Sequence, residues 1–191
     1  MRSLRRIIAL AAIVCTLISL ASCNGKHKEL KPFLDAISNS SPKSAVVVTK
    51  IDTNLGAVGG DYSASYSGNE ITVDCTKNAP TAITGGQNIS WAVKSTVVIK
   101  KDGSVNGEIG ALVKSVLMLD INPDGDYITY NLNGDVLEFT VLSKKTDRVF
   151  GVDIAYDTSV LLIIEGGKVK SVYVSYTSDS GPATLVCEYT Y

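Results

Sequence analysis

The sequence predicts a single α+β domain in which one to three helices pack on one face of a curved antiparallel sheet of about eight strands. Short apolar–polar alternating or β-branched segments run from residue 45 to residue 191. They are joined mostly by turns of hairpin length, whereas parallel strands need crossovers of a dozen residues or more. One amphipathic segment precedes them, and 191 residues with 45% hydrophobic content suffice for one core.

The predicted elements follow one another with clear turn signals. Residues 29–39 place apolar side chains at helical spacing, with Pro32 in the first turn, and the helix ends at Ser40-Ser41-Pro42. The segments predicted as strands are 45–51, 62–66, 71–75, 90–100, 127–132, 135–142, 160–165, 169–176 and 184–191. Asn133-Gly134 is the strongest of the intervening hairpin signals.

One segment is ambiguous between helix and strand. Residues 108–119, EIGALVKSVLML, could form a helix or a buried strand, because short apolar runs do not distinguish the two. We expect a helix up to about Val116. A helical turn over 144–150, closed by Gly151, is also expected.

The first 23 residues have the features of an export signal. Arg2, Arg5 and Arg6 precede an uncharged run of about fourteen residues, 7–20, which is the length of a signal-peptide core and too short to span a bilayer. Leu20-Ala21-Ser22-Cys23 then resembles the lipobox of bacterial lipoproteins. An uncleaved membrane anchor and ordinary secretory cleavage are the alternatives.

The lipobox resemblance implies a lipid anchor. In that family the peptide is cut before the cysteine, which carries acyl chains such as palmitate, so Cys23 would be the lipidated first residue of the mature chain. Several chains on one residue give stable anchoring. We expect a signal peptide over 1–22, a polar tether over 23–28 and a domain over 29–191, held outside the cytoplasm on a cell-envelope membrane, the outer one if the host has two.

Composition argues against several functions. Beyond the three leading arginines, fifteen basic residues face nineteen acidic ones, so the mature charge is near −4 and nucleic acid is not an expected partner. His27 is the only histidine and falls in the predicted tether. Since histidine-based triads and zinc sites are then excluded from the domain, we expect no enzyme activity and no cofactor.

Two groups of residues are candidate sites within the domain. Asp120, Asn122, Asp124 and Asp126 alternate as in a calcium loop, but Asn131 occupies the position where a bidentate carboxylate is required. A type I turn over 122–125, with glycine in the left-handed position, is the favoured interpretation, and no metal is expected.

Cys75 and Cys187 are the other candidates. They could be two buried thiols or a disulfide, and export favours the disulfide, worth ~4–5 kcal/mol for so long a loop. With no histidine nearby, neither thiol is expected to be catalytic.

The pattern of the domain resembles the LolA and LprG/LppX group of envelope lipid carriers. The resemblance rests on the helix preceding the strands and on Val149-Phe150-Gly151 followed by two hairpins ending at Tyr191. It implies a cavity between sheet and helices that accepts an acyl chain. The sequence therefore predicts a non-enzymatic binding protein for a lipid or other hydrophobic ligand. The alternative is an adhesion module that meets protein or glycan through an exposed sheet face bearing tyrosines.

Overall fold

The computed structural model describes residues 27–54, 56–78 and 92–191. Cys23 with the whole predicted signal peptide, and most of the predicted loop over 78–87, lie outside these ranges.

The described residues form one sheet of ten strands. The strands are β1 Ser44–Thr53, β2 Gly56–Ser67, β3 Glu70–Asn78, β4 Ala92–Lys100, β5 Val105–Asn106, β6 Ile128–Asn133, β7 Val136–Val141, β8 Thr158–Glu165, β9 Lys168–Ser178 and β10 Gly181–Thr190. Every pairing is antiparallel, and the order across the sheet is β5-β4-β3-β2-β1-β10-β9-β8-β7-β6.

Three α-helices occur within the described residues: α1 Lys31–Asn39, α2 Ala111–Leu117 and α3 Thr146–Phe150. Short 3-10 turns, Lys28–Leu30 and Ser143–Lys145, precede α1 and α3. The segment that the sequence left ambiguous is therefore helical, as expected. Gly151 ends α3 in the left-handed conformation, with φ of 64°.

The predicted antiparallel sheet with helices is confirmed, but the sheet is larger than about eight strands. The two-residue β5 was not predicted, because it is held to β4 by only two pairs and has no alternation to detect. β1 lies between β2 and β10 and pairs with both, so it connects the N-terminal strands of the sheet to the C-terminal strands.

The core lies on one face of this sheet, here called the inner face. Its fully buried side chains come from strands as far apart as β4 and β7, for example Ile99 and Phe139. A flat sheet of ten strands would be about 43 Å wide at ~4.8 Å per strand, whereas the seven-residue α2 is about 10 Å long. Helices this short would leave much of a flat sheet of that width uncovered.

Two tyrosines attach the C-terminal end of α2 to the inner face. Tyr189 on β10 donates a hydrogen bond of 2.6 Å to the carbonyl of Val116, and Tyr66 on β2 donates one of 2.8 Å to the carbonyl of Leu117. Burial raises the pKa of both phenols, so they stay protonated donors. α2 is thereby held across β2, β1 and β10.

The end of α2 is unusual because no glycine closes it. Leu119 takes the left-handed conformation, with φ of 53°. Its amide binds the Val116 carbonyl at 3.0 Å, and the amide of Asp120 binds the Ser115 carbonyl at 2.9 Å, which is a Schellman motif. The Leu119 side chain is buried, which offsets the cost of this conformation.

We expect Tyr189→Phe to lower the free energy of unfolding by about 1 kcal/mol, because a buried hydrogen bond is lost. Urea denaturation measures the change. Tyr173→Phe is the control, since Tyr173 lies on the outer face and is 39% exposed, and it should change the value by less than ~0.5 kcal/mol. Equal effects of the two substitutions would contradict the role given to Tyr189.

Candidate functional site

An open cleft lies where α2 begins, and it is here called the end cleft. Its volume is about 420 Å³. It is lined by the start of α2 and by the ends of five strands, through Thr49, Ile51, Val58, Gly59, Tyr62, Lys77, Asn78, Gly110, Ala111, Leu112, Val113, Tyr176, Ala183, Thr184 and Leu185. Because α2 starts only at Ala111, no helix of the described residues covers the inner face beyond it.

The floor of the end cleft is formed by a row of residues that pair with one another across neighbouring strands. The register aligns Leu185, Thr49, Gly60 and Lys77 across β10, β1, β2 and β3. The Tyr62 ring lies over Gly60, since a Cβ at that glycine would be 2.9 Å from the Tyr62 hydroxyl oxygen. Gly60 therefore makes room for an aromatic surface between Thr49 and Lys77.

Among the described residues that line the end cleft, Lys77 has the only charged side chain. It is in phase with the buried Val73 and Cys75, so it belongs to the inner face of β3. Its nearest acidic partner is Glu108, with 3.8 Å between Nζ and Oε2, and the Glu108 side chain is 93% exposed. Such a pair contributes little, so the ammonium group remains available to a ligand.

A second cleft, of about 410 Å³, lies at the other end of α2. Its lining includes Glu70, Lys100 and Lys101 together with Ser40 and Ser41. It is therefore more polar and more charged than the end cleft. An apolar ligand is better matched by the end cleft.

The two body cysteines do not form the disulfide that the sequence favoured. Both are free and buried. The register aligns Cys75, Tyr62, Val47 and Cys187, so two strands separate the cysteines by roughly 14 Å, against at most ~7 Å between the Cα atoms of a disulfide. Burial raises the pKa of the Cys187 thiol to about 12 and also raises that of Cys75, which keeps both thiols neutral.

The segment whose side chains alternate as in a calcium loop forms a turn, but the turn begins two residues later than predicted. The amide of Tyr127 binds the carbonyl of Asp124 at 2.9 Å, so the turn covers 124–127 rather than 122–125. Gly125 does not have the predicted positive φ. Asp124 is used within the turn, where it accepts the amide of Asp126 at 3.0 Å.

Asp120 and Asn122 are exposed. Within residues 27–54, 56–78 and 92–191, no group of three or more His, Cys, Asp or Glu side chains is placed to hold a metal ion.

His27 was assigned to a solvated spacer, and the structure instead packs it on the domain. Its Nδ1 lies 2.8 Å from the hydroxyl of Tyr130 on the edge strand β6, and its Nε2 lies 3.7 Å from an Asp126 carboxylate oxygen. Tyr130 donates its own proton to Glu29, which raises the pKa of Tyr130 to about 12. His27 Nδ1 is therefore the donor to Tyr130. A Cβ at Gly125 would overlap the His27 ring, so this glycine provides space for it.

The tyrosines do not form the exposed sheet face required by the adhesion alternative. Of the nine tyrosines only Tyr173 is exposed, at 39%. Tyr62, Tyr66 and Tyr189 point inward, and Tyr156 stacks on Tyr176 with ring centroids 6.2 Å apart. Tyr66 and Tyr189 hold α2.

No helix in the described part of the chain is long and apolar enough to cross a membrane.

The comparison with models of known families finds no match, and neither does the comparison with curated proteins. Among solved structures, the chain is similar to a mutant of the fluorescent protein UnaG at 12% identity and a TM-score of 0.24. The match covers 78% of this chain and 96% of that one. A TM-score this low supports no conclusion about the fold or the function of this chain.

Sequence reasoning missed the residues of the end cleft. One signal was available, because Lys77 continues the apolar phase of Val73 and Cys75, and a lysine at such a position indicates that the inner face is open there. The contribution of Gly60 and Tyr62 could not be seen, because it depends on which strands pair.

We expect Gly125→Ala to destabilise the protein by ~1–3 kcal/mol, because the added methyl group overlaps the His27 ring. Thermal or urea unfolding measures the effect. Gly110→Ala is the matched control, since its Cβ would meet only Val113 at 3.9 Å and its φ is −64°. In a His27→Ala background the cost of Gly125→Ala should largely disappear, and a cost that persists would show that the ring is not the cause.

Proposed function

We propose that this protein is a lipid-anchored, exported binding protein that holds a lipid or another hydrophobic ligand in the end cleft. The observation that carries the proposal is the cleft itself, an apolar opening of about 420 Å³ on the inner face beside α2. Ligand sites in proteins are typically concave and mostly apolar, with volumes of about 300–1,000 Å³.

The lining of the end cleft favours an apolar ligand. Ile51, Val58, Leu112 and Leu185 lie around it, and most of their neighbours in the cleft are also apolar or aromatic. Ile51 and Val58 are only half-buried although they point to the inner face, so they offer apolar surface that the protein does not cover. An acyl chain or similar group laid there would remove this surface from water, at ~25 cal/mol per Å².

Binding rather than catalysis is proposed for this site. General acid–base catalysis needs titratable groups with matched roles near one another. Lys77 is the only charged group in the described lining, and the buried Cys75 thiol nearby has a raised pKa. A cleft of this composition is suited to holding a molecule.

The anchor is proposed from Leu20-Ala21-Ser22-Cys23, which resembles a lipobox. His27, four residues after Cys23, packs against the β6 edge. At most ~3.6 Å per residue, an acylated Cys23 would hold that edge within about 14 Å of the membrane surface. The binding domain would then stand close to a source of lipid.

We expect Thr49→Phe to weaken binding of a neutral fluorescent probe, 1-N-phenylnaphthylamine, by at least about tenfold, because the ring fills the floor of the end cleft. Val48→Phe is the matched control on the same strand, where alternation turns the side chain outward and Val48 is 45% exposed. Fluorescence titration of both variants measures the affinities. Equal affinities, or no binding by the native protein, would argue against the proposed function.

We expect Cys23→Ser to abolish acylation and to release the protein from membranes, since serine has no thiol to acylate. Metabolic labelling with palmitate and membrane fractionation measure the two effects. Cys15→Ser, within the apolar run, is the control and should leave both unchanged. A Cys23→Ser protein that stays membrane-bound would indicate that the apolar run itself is the anchor.

A further inference from the structure

Building on the proposed function, we infer that the ligand of the end cleft is an amphiphile with an anionic head group, which Lys77 recognises. A long-chain carboxylate is the simplest molecule of this class. The inference rests on the placement of one cation in a cleft whose other described lining residues are uncharged and largely apolar.

The register places Lys77 at the boundary between apolar and polar surface. Lys77 pairs with Gly60 on β2, and the Tyr62 ring lies over that glycine. On its other side Lys77 pairs with Val93 of β4, an inner-face residue that is 63% exposed. The stem of Lys77 therefore runs among apolar groups while its ammonium group reaches the mouth of the cleft.

An anionic head group would find two hydrogen-bond donors there. The Lys77 ammonium carries three donor hydrogens and a full charge, and the Tyr62 hydroxyl lies above the neighbouring Gly60. A carboxylate bound by a charged donor forms a stronger hydrogen bond than a neutral alcohol does. The apolar chain would lie along Tyr62 and the start of α2.

Glu108 pairs only weakly with Lys77, at the place where the head group would bind. Its carboxylate lies 3.8 Å from Lys77 Nζ and is 93% exposed. An exposed pair at this distance contributes little free energy. An incoming anion can therefore replace Glu108 at small cost, whereas a neutral head group leaves the pair as it is.

The test compares two photoactivatable probes of equal chain length, a fatty acid and the corresponding fatty alcohol. The full-length chain in phosphatidylcholine vesicles is cross-linked over a range of probe concentrations, and labelled peptides of β1, β2 and α2 are quantified by mass spectrometry. We expect the acid to half-saturate these peptides at about tenfold lower concentration than the alcohol. Lys77→Met should remove this preference and leave labelling by the alcohol intact, which also shows that the cleft is still folded.

Three further variants test whether the charge of Lys77 causes the preference for the acid. Lys77→Arg should keep the preference for the acid, since the charge remains. Lys94→Met is the matched control, because Lys94 lies on the neighbouring strand β4 and is exposed on the outer face, and it should change nothing. Glu108→Gln should strengthen binding of the acid by about twofold, because the competing carboxylate is lost.

Two outcomes would overturn the inference while leaving the proposed function in place. One is equal labelling of the cleft peptides by acid and alcohol in the native chain. The other is a preference for the acid that survives Lys77→Met. If neither probe labels the cleft peptides, the proposed function fails and the inference fails with it.

Discussion

The attachment of α2 to the inner face is the constraint on which the rest of the structure depends. Two tyrosine hydroxyls, from Tyr66 and Tyr189, bind the last carbonyls of a helix only seven residues long. Ser115 adds a hydroxyl 2.7 Å from the Phe150 carbonyl, so α3 is tied to the same helix. Three short helices pack on a sheet of ten strands, and these hydrogen bonds decide where α2 lies on it.

The end cleft follows directly from this attachment. The hydrogen bonds hold α2 by its C-terminal end, and its N-terminal end stops at Ala111. Beyond that point the inner face continues as Thr49, Ile51 and Val58, and no helix in the described part of the chain lies above them. The same arrangement therefore attaches the C-terminal end of α2 to the core and leaves an open, largely apolar surface beside its N-terminal end. A longer α2 would fill the cleft with its own side chains.

A few contacts likewise hold the N-terminal end of the domain. The His27 ring packs against Gly125, and its Nδ1 donates a hydrogen bond to the Tyr130 hydroxyl. The chain is therefore fixed to the edge strand β6 before α1 begins. The proposed anchor would then hold the β6 edge near a membrane, while the end cleft is built on strands β1 to β3 and β9 to β10.

The sequence by itself determined the local structure: strands from alternation, hairpins from Gly-containing turns, and α1 from helical spacing. These depend on neighbours along the chain. Only the tertiary structure decided that two strands separate Cys75 from Cys187, that the turn at 124–127 packs against His27, and that Lys77 lies beside Tyr62 in an open cleft. Those facts depend on which strands pair and in what register, and strand pairing joins residues too distant in the chain for local pattern to specify.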